Sequence, residues 1–274
     1  MKRFTILLLI LFSYQVSSQK HPKKSLKEHR SEIHSKHFLY GYPYGTPKTN
    51  DLIIRDLYAL SNNDDTKFAD WLAYRLTTNE VVGGETIKRK WKKDPWLADN
   101  ETLAPRPDDY KDANKVLKTD RGHQAPLASF KNSADAFVTN YLSNITPQKA
   151  DLNQGAWVRL ETSVRNLVKA GNEVYVMTGP LYEREMEPLP KANQPHKVPS
   201  GYWKIICVEK NGIINASAFI FEQETPRRDK VIDHLVTIDE VEKRSKLDFF
   251  WLLEDGKENS LEKNKNEEFA AKHF

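Results

Sequence analysis

The sequence predicts an α+β protein with a mixed or largely antiparallel central sheet. β-rich apolar runs alternate with amphipathic helical patterns, but without the regular strand–helix–strand rhythm that is typical of a parallel sheet. Two of these runs, Trp203–Val208 and Ile213–Phe221, flank Asn211-Gly212, a dipeptide typical of a tight hairpin turn. The predicted hairpin favours antiparallel pairing.

Further strands are predicted on both sides of the middle of the chain. Phe68–Thr78 and Glu173–Thr178 are rich in residues that favour strands. Val116-Leu117 lead into Asp120, so the polar segment that follows is expected to end a strand or to open a loop.

Helices are predicted at Phe130–Leu142, Asn153–Ala170 and Ile238–Ser245. Gly171 is the expected stop of the second helix. Apolar residues recur in this helix at steps of three and four and mark one buried face: Trp157, Leu160, Val164, Leu167 and Val168.

The first 18 residues have the pattern of a signal peptide. Lys2 and Arg3 precede the apolar run Phe4–Phe12, and Val16-Ser17-Ser18 offers a cleavage site. The apolar run is too short to span a bilayer. We therefore expect residues 1–18 to be removed and the mature protein to be exported, periplasmic or extracellular, without a membrane segment.

Composition divides the rest of the chain into three parts. Residues 19–37 are rich in Lys and His and predict a basic mobile arm. No linker or repeat interrupts residues 38–253, which predict one domain, and residues 254–274 alternate Glu, Lys and Asn, as in a frayed helix or a disordered tail. Loss of the leader lowers the formal net charge from +4 to +2, so overall charge does not itself indicate nucleic-acid binding. The lone Cys207 excludes an intrachain disulfide and is interpreted as a core thiol.

The segment Asp120-Arg121-Gly122-His123 carries the first chemical signal. Neutral imidazole accepts a proton from water near neutral pH, and guanidinium binds phosphate oxygens in a bidentate fork. Glycine lets another backbone or a ligand approach closely. The segment therefore suggests hydrolysis of a phosphate ester, although an Asp-Arg pair is equally typical of a surface ion pair.

A second signal follows about twenty residues later. Asn153 falls at the start of the predicted helix, and Glu161 falls about two turns further on. An amide oxygen is a hard ligand that suits Mg²⁺ with most of its waters retained, and a carboxylate two turns away can hold those waters. The alternative is an N-cap asparagine with a solvated glutamate.

Together the two segments resemble the DNA/RNA non-specific endonucleases, the ββα-metal nucleases that include mitochondrial endonuclease G. The resemblance covers roughly residues 38–253. It implies a sheet core with a ββα-metal catalytic motif, also called a His-Me finger, set against it. The residues that carry it are Arg89–Pro95, Leu103-Ala104-Pro105, Asp120–His123, Asn144, Pro147-Gln148, Asn153-Gln154-Gly155, Trp157, Glu161, Thr178-Gly179-Pro180, Val198–Lys204, Gln223–Pro226 and Leu247–Phe250.

The resemblance implies a role for each matching residue. His123 would be the general base, Asn153 the direct ligand of Mg²⁺, and Glu161 the residue that orients metal-bound waters, with Mn²⁺ as a substitute cation. Asn144 would help to fix the loop beside the catalytic histidine. Asp120 is expected to orient the motif rather than to bind metal.

Arg89 and Arg121 are implied to hold the phosphate and its developing charge. Their separation of 32 residues departs slightly from the family spacing, as an insertion near Trp96–Thr102 would produce. Near Arg89, the basic run Lys88–Lys93 could follow a nucleic-acid backbone or form a solvated face. Trp91 within this run could stack on a base or pack in the core.

The implied activity is Mg²⁺-dependent endonucleolytic cleavage of DNA and RNA, without sequence preference and with 5′-phosphate products. Two alternatives remain open: an exported phosphodiesterase for small nucleotides, and an inactive nuclease fold that only binds nucleic acid. Arg227-Arg228 form a second short basic cluster. A homodimer and an inhibitor protein are both compatible with the sequence, which specifies neither.

Overall fold

A seven-stranded antiparallel sheet organises this protein, whose structure is a computed structural model that describes residues 30–85 and 87–274. The predicted signal peptide lies outside the described residues. In chain order the strands are β1 (Asp51–Ile54), β2 (Ala59–Asn63), β3 (Phe68–Leu76), β4 (Thr119–His123), β5 (Ile145–Lys149), β6 (Val174–Leu181), β7 (Gly201–Lys210), β8 (Ile213–Glu222) and β9 (Leu235–Val236).

The helices are mostly short. They are α1 (Thr78–Val81), α2 (Ala113–Leu117), α3 (Ala150–Leu152), α4 (Val158–Lys169), α5 (Ile238–Ser245), α6 (Asp255–Lys263) and α7 (Glu267–His273). Single 3₁₀ turns occur at Leu127–Ser129, Ala136–Asn140, Leu142–Asn144 and Val231–His234, and a π-helical turn, Asn153–Trp157, joins α3 to α4. The predicted helix Ile238–Ser245 is confirmed.

The large sheet is an antiparallel meander in the order β1-β2-β3-β6-β7-β8-β9. Every neighbouring pair in it is antiparallel, which confirms the predicted α+β class. The predicted strand Phe68–Thr78 ends at Leu76, because Thr77 caps α1 with its side chain. The β7–β8 hairpin turns at Asn211 and Gly212, both with positive φ, as predicted.

Alternating residues of the central strand β7 face two different apolar clusters. Tyr202 and Ile206 lie in the cluster that contains the buried face of α4. Trp203 and Cys207 lie in the cluster that contains the buried residues of α5. The register of the strand therefore places Lys204 on the side of α4, where its ammonium lies 4.3 Å from the ring centroid of Trp157. Burial raises the pKa of the Cys207 thiol, in keeping with a core position.

A separate two-stranded sheet, β4 paired antiparallel with β5, leads directly into α3 and α4. This is the ββα unit that the resemblance implied. Gly122 on β4 faces Gln148 on β5, and a Cβ at position 122 would lie only 2.5 Å from Oε1 of Gln148. The glycine thus accommodates a cross-strand side chain rather than a ligand.

The helix predicted at Asn153–Ala170 begins three residues earlier, at Ala150, and is broken at Gly155. The backbone of Gly155 leaves the helical region (φ −110°, ψ −117°) where it meets the carbonyl of Arg227; a Cβ there would lie 2.7 Å from that oxygen. The end of the helix is as predicted. Gly171 adopts a φ of 89°, and the amide of Asn172 donates to the carbonyl of Leu167.

The prediction of a helix at Phe130–Leu142 is wrong, because this segment forms separate 3₁₀ turns. Polar side chains donate hydrogen bonds to backbone carbonyls that would accept from backbone N–H groups in a continuous helix. The hydroxyl of Thr139 donates to the carbonyl of Ala136 at 2.8 Å, and Nδ2 of Asn144 donates to the carbonyl of Thr139 at 2.7 Å.

Both ends of the described chain make contacts with the domain. Residues 254–274, expected to form a frayed helix or to be disordered, contain the helices α6 and α7. Ala270 is buried, and Phe269 and Phe274 pack against the main apolar cluster. At the other end, His37 is buried with Nε2 2.8 Å from the carbonyl oxygen of Arg55, so the predicted mobile arm is anchored at its last residue. Among the described residues, no helix is both long and apolar enough to cross a membrane.

Candidate active site

A cleft of about 510 Å³ lies where the ββα unit meets the segment around Arg89. Five of the sequence-predicted site residues line this cleft: Arg89, Arg121, His123, Asn153 and Glu161. The order of the unit explains the convergence. β4 ends at His123, and β5 pairs with it and runs directly into the helix that carries Asn153 and Glu161.

His123 is half-buried at the end of β4. Its Nε2 lies 3.1 Å from Oδ1 of Asn140, and its ring centroid lies 5.4 Å from that of Trp91. Burial lowers the pKa of His123 to about 4; the bond to Asn140 opposes this shift, and the nearby charge of Arg89 adds to it. The imidazole is therefore neutral at pH 7 and able to accept a proton.

Asn140 was not predicted as a site residue. It ends a 3₁₀ turn, 17 residues after His123, within the segment that was assigned to a helix. No periodic pattern marks a residue in such a turn, so the only signal in the sequence was a polar side chain among apolar neighbours. Trp91 packs against His123, with its ring 5.3 Å from the guanidinium of Arg121. The half-buried indole thus lines the cleft and packs against the histidine at the same time.

Asn144 does not line the cleft but fixes the loops around it. Its fully buried amide accepts from the backbone N–H of Ala125 at 2.8 Å and donates to the carbonyls of Ala125 and Thr139, at 2.9 and 2.7 Å. These bonds join the chain just after His123 to the turn that carries Asn140. The implied role of fixing the catalytic loop agrees with this geometry.

Asn153 is held in one orientation by Asp120. Its Nδ2 donates to Oδ2 of Asp120 at 3.0 Å, and Nε2 of Gln154 donates to the same oxygen at 2.7 Å. Nδ2 of Asn114 donates to the other carboxylate oxygen, also at 2.7 Å. Because the amide nitrogen of Asn153 faces Asp120, its Oδ1 points the other way, and it makes no hydrogen bond with any of the described residues.

Glu161 lies two turns beyond Asn153 and is half-buried between charged neighbours. Burial raises the pKa of its carboxyl, while Lys204 and then Arg165 act in the opposite direction. Lys204 is fully buried beneath the helix and was noted in the sequence only as part of a longer motif.

The two predicted phosphate-binding arginines differ in their surroundings. Arg121 donates from Nη2 to both oxygens of Asp108, at 2.5 and 2.6 Å, and lies 5.0 Å from the ring centroid of Tyr110. Arg89 is exposed, and no carboxylate of the described residues forms an ion pair with it. Arg89 is therefore open to a ligand, although its charge also acts on the Glu161 carboxyl, whereas Arg121 is paired with Asp108.

The second basic cluster reaches the same cleft through hydrogen bonds. Nη2 of Arg227 donates to Oε1 of Gln154 at 2.7 Å, so a chain of bonds runs from Arg227 through Gln154 to Asp120. In the first cluster, Lys88 and Lys90 are exposed beside Arg89.

A ββα unit that presents a histidine, an asparagine and a glutamate in one cleft, set against a large antiparallel sheet, defines the class of ββα-metal nucleases. The fold agrees with solved structures of that class. The crystal structure of an EndoG/EndoGI complex superposes with a TM-score of 0.65 over 78% of this chain and 90% of that chain, at 24% sequence identity.

The family is shown by sequence comparison. The model of the DNA/RNA non-specific endonuclease family matches residues 35–255. The nuclease of Serratia marcescens is 48% identical over 224 residues, covering 81% of this chain and 82% of that protein. Nuclease C1 of Cunninghamella echinulata var. echinulata is 31% identical over 230 residues, covering 76% and 86%. The chain belongs to the DNA/RNA non-specific endonuclease family and is a nucleic-acid hydrolase.

Proposed function

We propose that this protein is an exported, Mg²⁺-dependent endonuclease that cleaves DNA and RNA without sequence specificity and leaves 5′-phosphates. The observation that carries the proposal is the convergence of His123, Asn153 and Glu161 in one cleft, beside the exposed Arg89. These groups can bind water, a cation and a phosphate group. The phosphate is common to all nucleic acids and carries no sequence information.

His123 acts as the general base through Nδ1. The oxygen of Asn140 can only accept a hydrogen bond, so its contact with Nε2 places the proton on that nitrogen and leaves the lone pair on Nδ1. Nδ1 takes a proton from a water molecule whose oxygen attacks phosphorus. The bond from phosphorus to the 3′ oxygen breaks, and the 3′ oxygen leaves with the bonding electron pair and takes a proton from solvent water. The products carry a 5′-phosphate and a 3′-hydroxyl.

The residues of the cleft fit a hard divalent cation. Asp120 holds the amide nitrogen of Asn153, which leaves a single amide oxygen directed away from it. Asn153 would supply the one direct protein ligand to Mg²⁺ or Mn²⁺, and Glu161 would hold metal-bound waters from the next helical turns. When bound, the cation supplies charge stabilisation for the phosphate and for the departing 3′ oxygen.

Arg89 binds the phosphate that is cleaved, because it is exposed in the cleft and forms no ion pair with a carboxylate of the described residues. Arg121, paired with Asp108, contributes mainly by holding its own part of the cleft wall in place. The run Lys88–Lys93 and Arg227 extend positive charge on either side and attract the backbone of a longer substrate. None of these groups reads base edges, which accounts for cleavage of both DNA and RNA.

Export follows from residues 1–18, which we propose to be a cleaved signal peptide, with residues 19–37 as a basic segment ahead of the nuclease domain. We propose that residues 38–253 form the nuclease domain.

A single digestion experiment tests this function. Circular plasmid, denatured DNA, RNA and the small diester bis(p-nitrophenyl) phosphate are incubated in one buffer with Mg²⁺ or with excess EDTA, and product ends are mapped. We expect cleavage of all three nucleic acids, 5′-phosphate ends and complete loss of activity in EDTA. Full activity in EDTA, or circular DNA left intact while only the small diester is hydrolysed, would show that the proposal is wrong.

A further inference from the structure

Lys204 is a buried cation that the proposed mechanism does not use. It lies in the middle of β7, on the face covered by α4, and its side chain is fully buried. Its Nζ makes no hydrogen bond within the described part of the chain. The nearest aromatic contact is the ring of Trp157, 4.3 Å away, with the ring of Tyr74 at 6.0 Å.

Such a position is costly for an ammonium group. Removing a charge from water costs several kcal/mol unless an opposite charge or hydrogen bonds compensate it. The contact with an indole face recovers part of this cost. A further interaction must therefore account for a lysine at this point of the core.

The carboxylate that can supply it is that of Glu161, which lies one helical turn after Trp157 on the helix that covers Lys204, although no oxygen of Glu161 comes within the 4.0 Å of an ion pair with Nζ. Burial lowers the pKa of Lys204 to about 8, and the charge that opposes this shift is that of Glu161. Of the charges that lower the pKa of Glu161 against the effect of burial, that of Lys204 has the largest effect. The indole Nε1 of Trp157, one helical turn before Glu161, is also buried without a hydrogen-bond partner among the described residues.

We propose that Lys204 is a positioning residue of the nuclease, whose buried charge holds the Glu161 carboxylate at the inner wall of the cleft. Glu161 can then turn one oxygen to the core side, towards Lys204 and the indole N–H, and the other towards the cleft. Because β7 is paired with β6 on one edge and with β8 on the other, the backbone that carries the lysine is held on both sides. This inference rests on the proposed role of Glu161 as the residue that orients metal-bound waters.

A double-mutant cycle tests the proposal. The variants are Lys204→Met, which removes the charge at nearly constant volume, Glu161→Gln, and the two combined. For each we would measure kcat and KM on plasmid DNA, the affinity for Mn²⁺ by electron paramagnetic resonance, and the thermal midpoint without metal or substrate. Arg244→Met is the control, since it removes a charge from an ion pair with Glu183 that lies outside the cleft.

Lys204→Met should lower kcat or Mn²⁺ affinity by roughly 10–100-fold, as is typical when the support of a metal site is removed, while KM changes little. In the Glu161→Gln background the same change should cost less than roughly threefold, because interacting residues are not additive. Arg244→Met should leave both quantities near wild type.

The thermal midpoint separates this inference from the proposed function, because it is read without metal and substrate. Lys204→Met removes the charge that favours the half-buried Glu161 carboxylate most and should lower the midpoint, and Glu161→Gln should restore part of the loss. An equal loss of activity in both backgrounds, or a double variant no more stable than Lys204→Met, would overturn the pairing. Full activity of Lys204→Met would also overturn the proposed pairing of Lys204 with Glu161.

Discussion

Asp120→Asn probes the arrangement that orients Asn153. The carboxylate of Asp120 accepts hydrogen bonds from three side-chain amides, those of Asn114, Asn153 and Gln154. Asparagine keeps one acceptor oxygen and places an NH₂ group against donors that it cannot satisfy. The amide of Asn153 is then free to rotate, and its oxygen is no longer fixed towards the cleft.

The magnitude follows from the bond that is lost. A hydrogen bond to a charged group contributes about 1.5–3 kcal/mol. At roughly 1.4 kcal/mol for each factor of ten, loss of this bond predicts a metal affinity lower by a factor between about 10 and 100. A change of this size is typical for residues that orient metal ligands.

The assay is the Mg²⁺ concentration that gives half-maximal plasmid cleavage, with Mn²⁺ affinity measured in parallel. Asp151→Asn is the matched control: it makes the same change of charge at an exposed position in α3. We expect the Mg²⁺ requirement of Asp120→Asn to rise and that of Asp151→Asn to stay the same. An unchanged Mg²⁺ requirement in a folded Asp120→Asn protein would refute the orientation of Asn153 by Asp120.

Three further predictions concern protonation, substrate binding and the loop framework. Burial lowers the pKa of His123 to about 4, and a base works only above its pKa, so kcat/KM should stay high below pH 6.5 and fall as pH approaches 4; an acid limb centred at 6.5 or above would contradict this. Changing exposed Lys88 and Lys90 to Glu should raise KM on long DNA but not on a small diester, and should flatten the log–log salt dependence by about 0.9 per lost phosphate contact; equal effects on both substrates would argue against a backbone contact. Asn144→Ala leaves three backbone groups unsatisfied, so urea unfolding should show a stability loss of at least about 2 kcal/mol, and an unchanged midpoint would rule out its framework role.

The segments proposed to be catalytic could be found from the sequence because each is local. Residues 120–123 lie in one strand, and Asn153 and Glu161 lie on consecutive helical segments that are interrupted at Gly155, so sequence spacing relates them. The hairpin at Asn211-Gly212 was equally predictable, since its turn needs two residues that tolerate positive φ.

The remaining parts of the site depend on contacts between distant segments. Asp108 pairs with Arg121 across 13 residues, and Asn140 meets His123 from a turn without helical periodicity. Lys204 lies in an apolar strand whose other face is also buried, so its position beneath α4 could not be found from strand alternation. For the tail, the sequence left a frayed helix and disorder open, because a few apolar residues rather than a regular stripe attach α6 and α7.

Chemical rescue of His123→Ala tests directly whether His123 is the general base. The variant removes the only imidazole in the cleft as far as the structure describes it, and loss of a general base typically costs about 10²–10⁴-fold. Cleavage of plasmid DNA by the folded variant would be measured with increasing imidazole at several pH values. We expect this loss of activity, and we expect added imidazole to restore part of the cleavage activity in proportion to the concentration of its neutral form. Near-normal turnover by the folded variant without added imidazole would contradict the assignment of His123 as the base.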